Sequence, residues 1–136
     1  MMMDAKAGLR IDAGDVPIVG WENPAHGSIM WQTLLSGDIT ASSELVCGIA
    51  HLRKGDSLAL HHHAQAEVYF GLSGRVTVVI NGTASELGPD ITLYVPPAAV
   101  HGFVPAQEDV RFFYAFAANS FSDVTYHFVP PTSPPT

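Results

Sequence analysis

The sequence is short of several things, and each shortage narrows what the chain can be. It has one cysteine, Cys47, so no disulfide can form within the chain. Charged residues fill only 14% of its 136 positions, the opposite of what disorder requires. Basic residues are scarcest. Lys6, Lys54, Arg10, Arg53, Arg75 and Arg111 face 13 acidic residues, for a net charge of -7. With no basic block to neutralise phosphates, neither nucleic acid nor an anionic membrane is an expected partner. No apolar run approaches the ~20 residues that span a bilayer. The start, Met1-Met2-Met3-Asp4-Ala5-Lys6, lacks an apolar signal core. The expectation is a cytoplasmic domain acting on small molecules.

Hydrophobic residues reach 47%, enough to build a core in a single domain of this length. Residues 1–25 are broken by Gly8, Gly14, Pro17, Gly20 and Pro24 and read as an extended N-terminal extension. Short apolar segments follow at 29–35, 45–52, 57–61, 67–72, 75–80, 83–87, 91–95, 100–104, 110–116 and 124–129, divided by turn residues. Asn81-Gly82 is the strongest hairpin signal among them. None keeps a 3.6-residue apolar period, so helix is minor. Regularly spaced short strands predict an all-β sandwich or barrel over 26–129. The Pro-rich tail, 130–136, cannot join a sheet interior.

Seven histidines against two lysines is an unusual ratio. The informative stretch is Gly55-x5-His61-x-His63-x3-Glu67-x6-Gly74. Side chains alternate faces along a strand, so His61 and His63 point one way and His62 the other. Glu67 opens the next strand, and His101 follows Pro96-Pro97-Ala98-Ala99-Val100. A lone histidine is more often a satisfied polar group than a ligand. Three residues at defined spacing with glycine at both ends reverse that preference. Three imidazoles and one carboxylate converging inside a barrel suit one divalent transition metal: Fe, Mn, Ni or Zn. Four such ligands on an octahedral ion leave two positions for substrate or water.

The spacing from Gly55 to Gly74 matches the first cupin motif at every named position. In the second motif Pro96 and His101 match, Asp90 and Ala98 stand where the motif has glycines, and Pro105 replaces its asparagine. The chain thus resembles the cupin superfamily. That resemblance implies a double-stranded β-helix, or jelly-roll barrel, with His61, His63, Glu67 and His101 as metal ligands. A longer match, from His26 to Phe128, resembles the small single-domain cupins that cleave dimethylsulfoniopropionate (DMSP). It rests on Trp31-x2-Leu34, Leu60-His61-x-His63, Ala66-Glu67-Val68-Tyr69, Phe112-Phe113-Tyr114-x-Phe116 and Ser120-Phe121-Ser122-Asp123-Val124-x-Tyr126. Gln65 and His62 stand where those proteins usually carry proline and tyrosine.

The resemblance implies a metal-dependent lyase in which a tyrosinate removes the proton beside the substrate carboxylate. Tyr69 and Tyr126 match the family's catalytic positions. A free tyrosine has a pKa of ~10 and needs help to act as a base. Trp31 and Tyr114 are the expected pocket-lining aromatics, suited to a soft cation such as sulfonium. Cys47 and His51 receive ordinary readings, as a small buried residue and a surface histidine. An Fe(II) dioxygenase, an isomerase or cyclase, and a non-catalytic small-molecule binder remain alternatives, because the cupin fold hosts all of them. A homodimer is expected, since pairing hides exposed strand edges.

Overall fold

The computed structural model describes residues 7–130. Most of the expected Pro-rich tail, and Met1 to Lys6, lie outside the described residues. Eleven strands are formed among those described: β1 (Val19–Gly20), β2 (Met30–Leu35), β3 (Val46–Leu52), β4 (Leu58–His62), β5 (Glu67–Ser73), β6 (Val76–Ile80), β7 (Thr83–Leu87), β8 (Thr92–Val95), β9 (His101–Phe103), β10 (Val110–Phe116) and β11 (His127–Phe128). Short 3-10 turns cover Ala13–Asp15, Pro24–His26 and Phe121–Asp123. Among the described residues, no helix is long and apolar enough to cross a membrane.

The strands form two antiparallel sheets. One runs β1-β2-β3-β10-β5-β8 and the other β11-β4-β9-β6-β7. Both wrap one core, so the fold is an all-β barrel as the spacing predicts, of the jelly-roll kind that the resemblance implies. Alternation decides what faces inward. On β10, Val110, Phe112, Tyr114 and Phe116 are buried, while Arg111 is exposed and Phe113 and Ala115 are half-buried. Asn81 (φ 46°) and Gly82 (φ 81°) both adopt left-handed backbone, as a two-residue hairpin turn with matched twist requires. The register runs Ile80↔Thr83 through Val76↔Leu87. At the barrel floor Phe103 stacks on Phe112 with ring centroids 5.0 Å apart, above the fully buried Val78 and Leu87. Each such side chain contributes roughly 1.5–3 kcal/mol of burial.

The N-terminal residues are stitched to this barrel. β1 pairs with β2 (Val19↔Trp31, Gly20↔Met30). The Gln32 amide donates to the carbonyls of Ala13 (2.7 Å) and Val16 (2.9 Å). Its oxygen lies 2.7 Å from His51 Nε2. His51 faces outward as alternation predicts, but it is half-buried in this network rather than solvated. Burial, followed by the nearby Arg111, lowers its pKa.

Candidate metal centre

The site lies where the two sheets meet at one end of the barrel. His61 on β4 and His101 on β9 are register partners. His63 follows β4 directly, Glu67 opens β5, and Tyr69 lies two residues on, on the same face. One ligand atom from each of His61, His63 and His101 falls within 4.8 Å of the others. All three are almost fully buried. His62 turns outward and stacks on His127, with ring centroids 5.0 Å apart.

The main chain aims the imidazoles. Nδ1–H of His61 donates to Ala59 O (2.8 Å), that of His63 to Gln65 O (3.0 Å) and that of His101 to Ala99 O (2.8 Å). A carbonyl can only accept, so these contacts put the proton on Nδ1 and leave the Nε2 lone pairs free. Two of those Nε2 atoms, on His63 and His101, lie 3.2 and 3.3 Å from Glu67 Oε1. Three lone pairs thus converge, with the Glu67 carboxylate beside two of them, and such an acceptor set fits a cation. Burial, reinforced by the neighbouring His101, pushes His61 down to about 3. Burial alone would raise the Glu67 carboxyl; positive charge at His101 and His63, whether an Nε2 proton or a shared cation, holds it below its ordinary value.

Tyr69 donates to Glu67 Oε1 at 3.1 Å. The Tyr126 ring stacks on His61, with centroids 4.9 Å apart. Burial raises both hydroxyls well above the ordinary tyrosine value, and the Glu67 charge raises them further. At rest each is therefore a neutral proton donor. Tyr114 is also raised by burial. Its hydroxyl faces Thr33 without closing a good hydrogen bond and lies over Gly48. A Cβ on residue 48 would stand 2.4 Å from that oxygen and 2.3 Å from Gln32 O, so only glycine lets Tyr114 take this position.

A partly open cavity of about 40 Å³ adjoins Glu67, Tyr69 and Tyr126, with the three histidines outside its lining. The expected Trp31 and Tyr114 line it, and so do Phe116, Phe121 and Trp21. Trp21 was not legible as a cavity residue. It follows Gly20 in a lead-in with no apolar period, and it reaches the site only because β1 is laid against β2. It packs on Trp31 (centroids 4.9 Å) and Tyr126 (5.0 Å). Phe121 is placed by a buried serine, Ser36, whose Oγ accepts from Phe121 N–H at 2.8 Å across 85 residues of sequence. Pairing at that separation leaves no local signal.

The two motif glycines replaced in this chain leave a mark. Asp90 (φ 68°) and Ala98 (φ 63°) both hold left-handed backbone. The turn at Ala98 is also tied to the site, because Ala98 N–H donates to His63 O at 2.9 Å.

Comparison with known proteins agrees with this geometry. Residues 48–116 match the family model described as a cupin domain. The dimethylsulfoniopropionate lyase DddW of Ruegeria pomeroyi is 40% identical over 118 residues, which are 87% of this chain and 78% of that protein. Among solved structures, the polyketide cyclase RemF from Streptomyces resistomycificus superposes with a TM-score of 0.76 at 20% identity, over 91% of this chain and 87% of that one. A structure described as that of the DMSP lyases RdDddP and RnDddQII gives 0.70 at 18% identity, over 84% of this chain and 62% of that one. At such identities these structures speak for the fold alone. Barrel, histidine set and matched sequence together make this chain a member of the cupin family, with a resemblance to its DMSP lyases.

Proposed function

We propose that the chain is a metal-dependent lyase that eliminates a neutral leaving group from a small carboxylate bearing an onium centre, as in DMSP. The observation that carries this reading is the chemistry of the cavity wall. It is aromatic, its one charged side chain is Glu67, and no lysine or arginine lines it. A polyanionic substrate would meet no fixed cation there. A sulfonium would meet ring faces and a carboxylate. The 40% identical relative named as a DMSP lyase supports the same substrate class.

In this reading His61, His63, His101 and Glu67 hold one divalent ion: Fe, Mn, Ni or Zn. When bound, the ion supplies Lewis acidity and positive charge beside the substrate carboxylate. Tyr126, once its phenolic proton has passed to water, takes as tyrosinate the proton from the carbon next to that carboxylate. The C–H electron pair becomes the new C=C bond, and the C–S pair leaves with dimethyl sulfide, so acrylate remains. Tyr69, held on Glu67, is the second proton-handling group. Trp31 and Tyr114 hold the onium end. The onium charge opposes the burial that keeps the Tyr126 hydroxyl neutral, so the base forms only in the loaded site. The same proposal takes 26–129 as the barrel domain, a homodimer as the working unit and the cytoplasm as its location.

The test is headspace dimethyl sulfide from metal-reconstituted protein given DMSP, with Tyr126→Phe alongside. Release by the wild type and loss in the variant is the expected result. No release with any of the four metals removes DMSP as the substrate. Oxygen uptake by the iron form would then favour a dioxygenase.

A further inference from the structure

The cavity is too small for its proposed occupant. About 40 Å³ has room for about three water molecules, far less than a carboxylate with an onium group. Some part of the wall must move before such a ligand fits beside Glu67, Tyr69 and Tyr126. Directly outside lies a groove of about 390 Å³ along the lead-in, lined by Gly20, Glu22, Pro24, Met30 and Arg53. Trp21 and Ile29 line both spaces. Ile29 is almost fully buried, and its N–H is bonded to Ser57 O at 3.1 Å.

Trp21 is the less anchored of the two. It sits between a strand of only two register pairs and the Pro24–His26 turn. That turn is closed by its own hydrogen bonds, from His26 N to Asn23 O and from Gly27 N to Pro24 O, and is tied to the barrel at its end, where Gly27 bridges to Leu58. The indole Nε1 is buried with no hydrogen-bond partner, so no polar contact holds the ring. Three other wall residues are fixed. Tyr114 and Phe116 lie on β10, which is laddered on both sides, and Phe121 is held by Ser36. What closes the lead-in is packing: Trp21 on Trp31 and Tyr126, and His26 stacked on Phe128 at 3.8 Å.

The geometry points to Trp21 as the gate of the cavity. Segment 19–26, hinged at the Gly27–Leu58 bridge, swings the indole out of the wall, joins the cavity to the outer groove and admits a small carboxylate beside Glu67, Tyr69 and Tyr126. The ring therefore also limits the size of what enters.

Acrylamide quenching of Trp31 fluorescence tests this without turnover, so its result is independent of the reaction proposed above. Trp21→Phe and Trp21→Ala each leave Trp31 as the sole tryptophan, so they compare like with like. Several-fold stronger quenching in Trp21→Ala than in Trp21→Phe is expected. Should Trp21→Ala melt below the assay temperature, Trp21→Leu takes its place. Motion is tested by a reversible lock. Gly20→Cys with Met30→Cys bridges a directly opposed pair of β1 and β2, built on Trp21→Phe and Cys47→Ser. The oxidised form should quench several-fold less than the same protein after dithiothreitol. Equal quenching of Trp21→Phe and Trp21→Ala, or of oxidised and reduced protein, overturns the gate. A larger rise from Phe121→Ala on the Trp21→Phe background also overturns it and moves the entrance to the 117–126 loop.

Discussion

The same strands build two very different ends of this barrel. On the β4–β9 pair, His61 faces His101 at one end, while Leu58 faces Phe103 at the other. On β10, Phe112, Tyr114 and Phe116 all line the cavity, but Phe112 stacks on Phe103 at the floor, while Phe116 meets the His63 ring edge-on, with centroids 5.1 Å apart. Burial does not distinguish the ends: Val78 and His101 are both fully enclosed. The difference is what the enclosed groups require. The floor gains stability from each apolar side chain it hides. The site end pays desolvation for three imidazoles and a carboxylate, recovered only through hydrogen bonds and a cation. One end holds the fold so that the other can hold chemistry.

Substitutions can separate the two ends. Phe112→Ala should cost about 3–5 kcal/mol of stability by removing the floor ring, while metal stoichiometry stays that of the wild type. A chemical denaturation curve and elemental analysis on the same sample read both. His101→Ala should do the reverse. Moving a residue that merely orients a ligand costs 10–100-fold in affinity, so losing the ligand should cost more than ~100-fold, with the melting temperature of the metal-free protein little changed. A floor variant that lost metal, or a histidine variant that lost the fold, would show that the ends are one unit.

Smaller changes sharpen the contrast. The site end carries backbone strain at Ala98, so Ala98→Gly should stabilise by about 0.5–1 kcal/mol, seen as a raised melting temperature with unchanged metal content. A fall instead would mean that the left-handed turn is relaxed. The floor end carries an acid-sensitive turn. Asp56 accepts from Arg53 N (2.8 Å) and Arg53 Nε (3.1 Å). Burial raises the Asp56 carboxyl, but hydrogen bonds from Arg53 and Ser28 and the Arg53 charge outweigh it and leave its pKa lowered. A depressed carboxylate contributes stability that is fully present above its unfolded value of ~4 and is lost as pH falls through its folded value. Asp56→Asn should therefore cost about 0.5–1 kcal/mol at pH 7 and progressively less below pH ~4. A loss of the same size at pH 7 and pH 3 would show that the carboxylate charge plays no part.

How far the sequence could be read follows the range of each interaction. Strand positions were legible because alternation is a local pattern: β7 and β10 have the expected bounds, and most others differ by a residue at one or both ends. Expected segment 124–129 shortened to His127–Phe128, because only those residues pair with β4. His61, His63 and His101 lie together and Glu67 lies beside the last two, since strand alternation and one register pair carry that information. What stayed hidden depends on contacts distant in sequence. Nothing near Trp21 announces a cavity wall. Nothing near Ser36 announces that it holds Phe121. Nothing near His51 announces that Gln32 and the lead-in will cover it.

The backbone carbonyls behind the three imidazoles have an evolutionary consequence. Each ring takes its aim from a main-chain oxygen two residues away, at Ala59, Gln65 or Ala99. No other side chain is needed for that aim, so substitutions around the cavity can reshape selectivity without misdirecting the ligands. A lineage built this way can exchange Trp21, Trp31 or Tyr114 while keeping its inner coordination intact. New reactions then become a matter of re-lining the cavity.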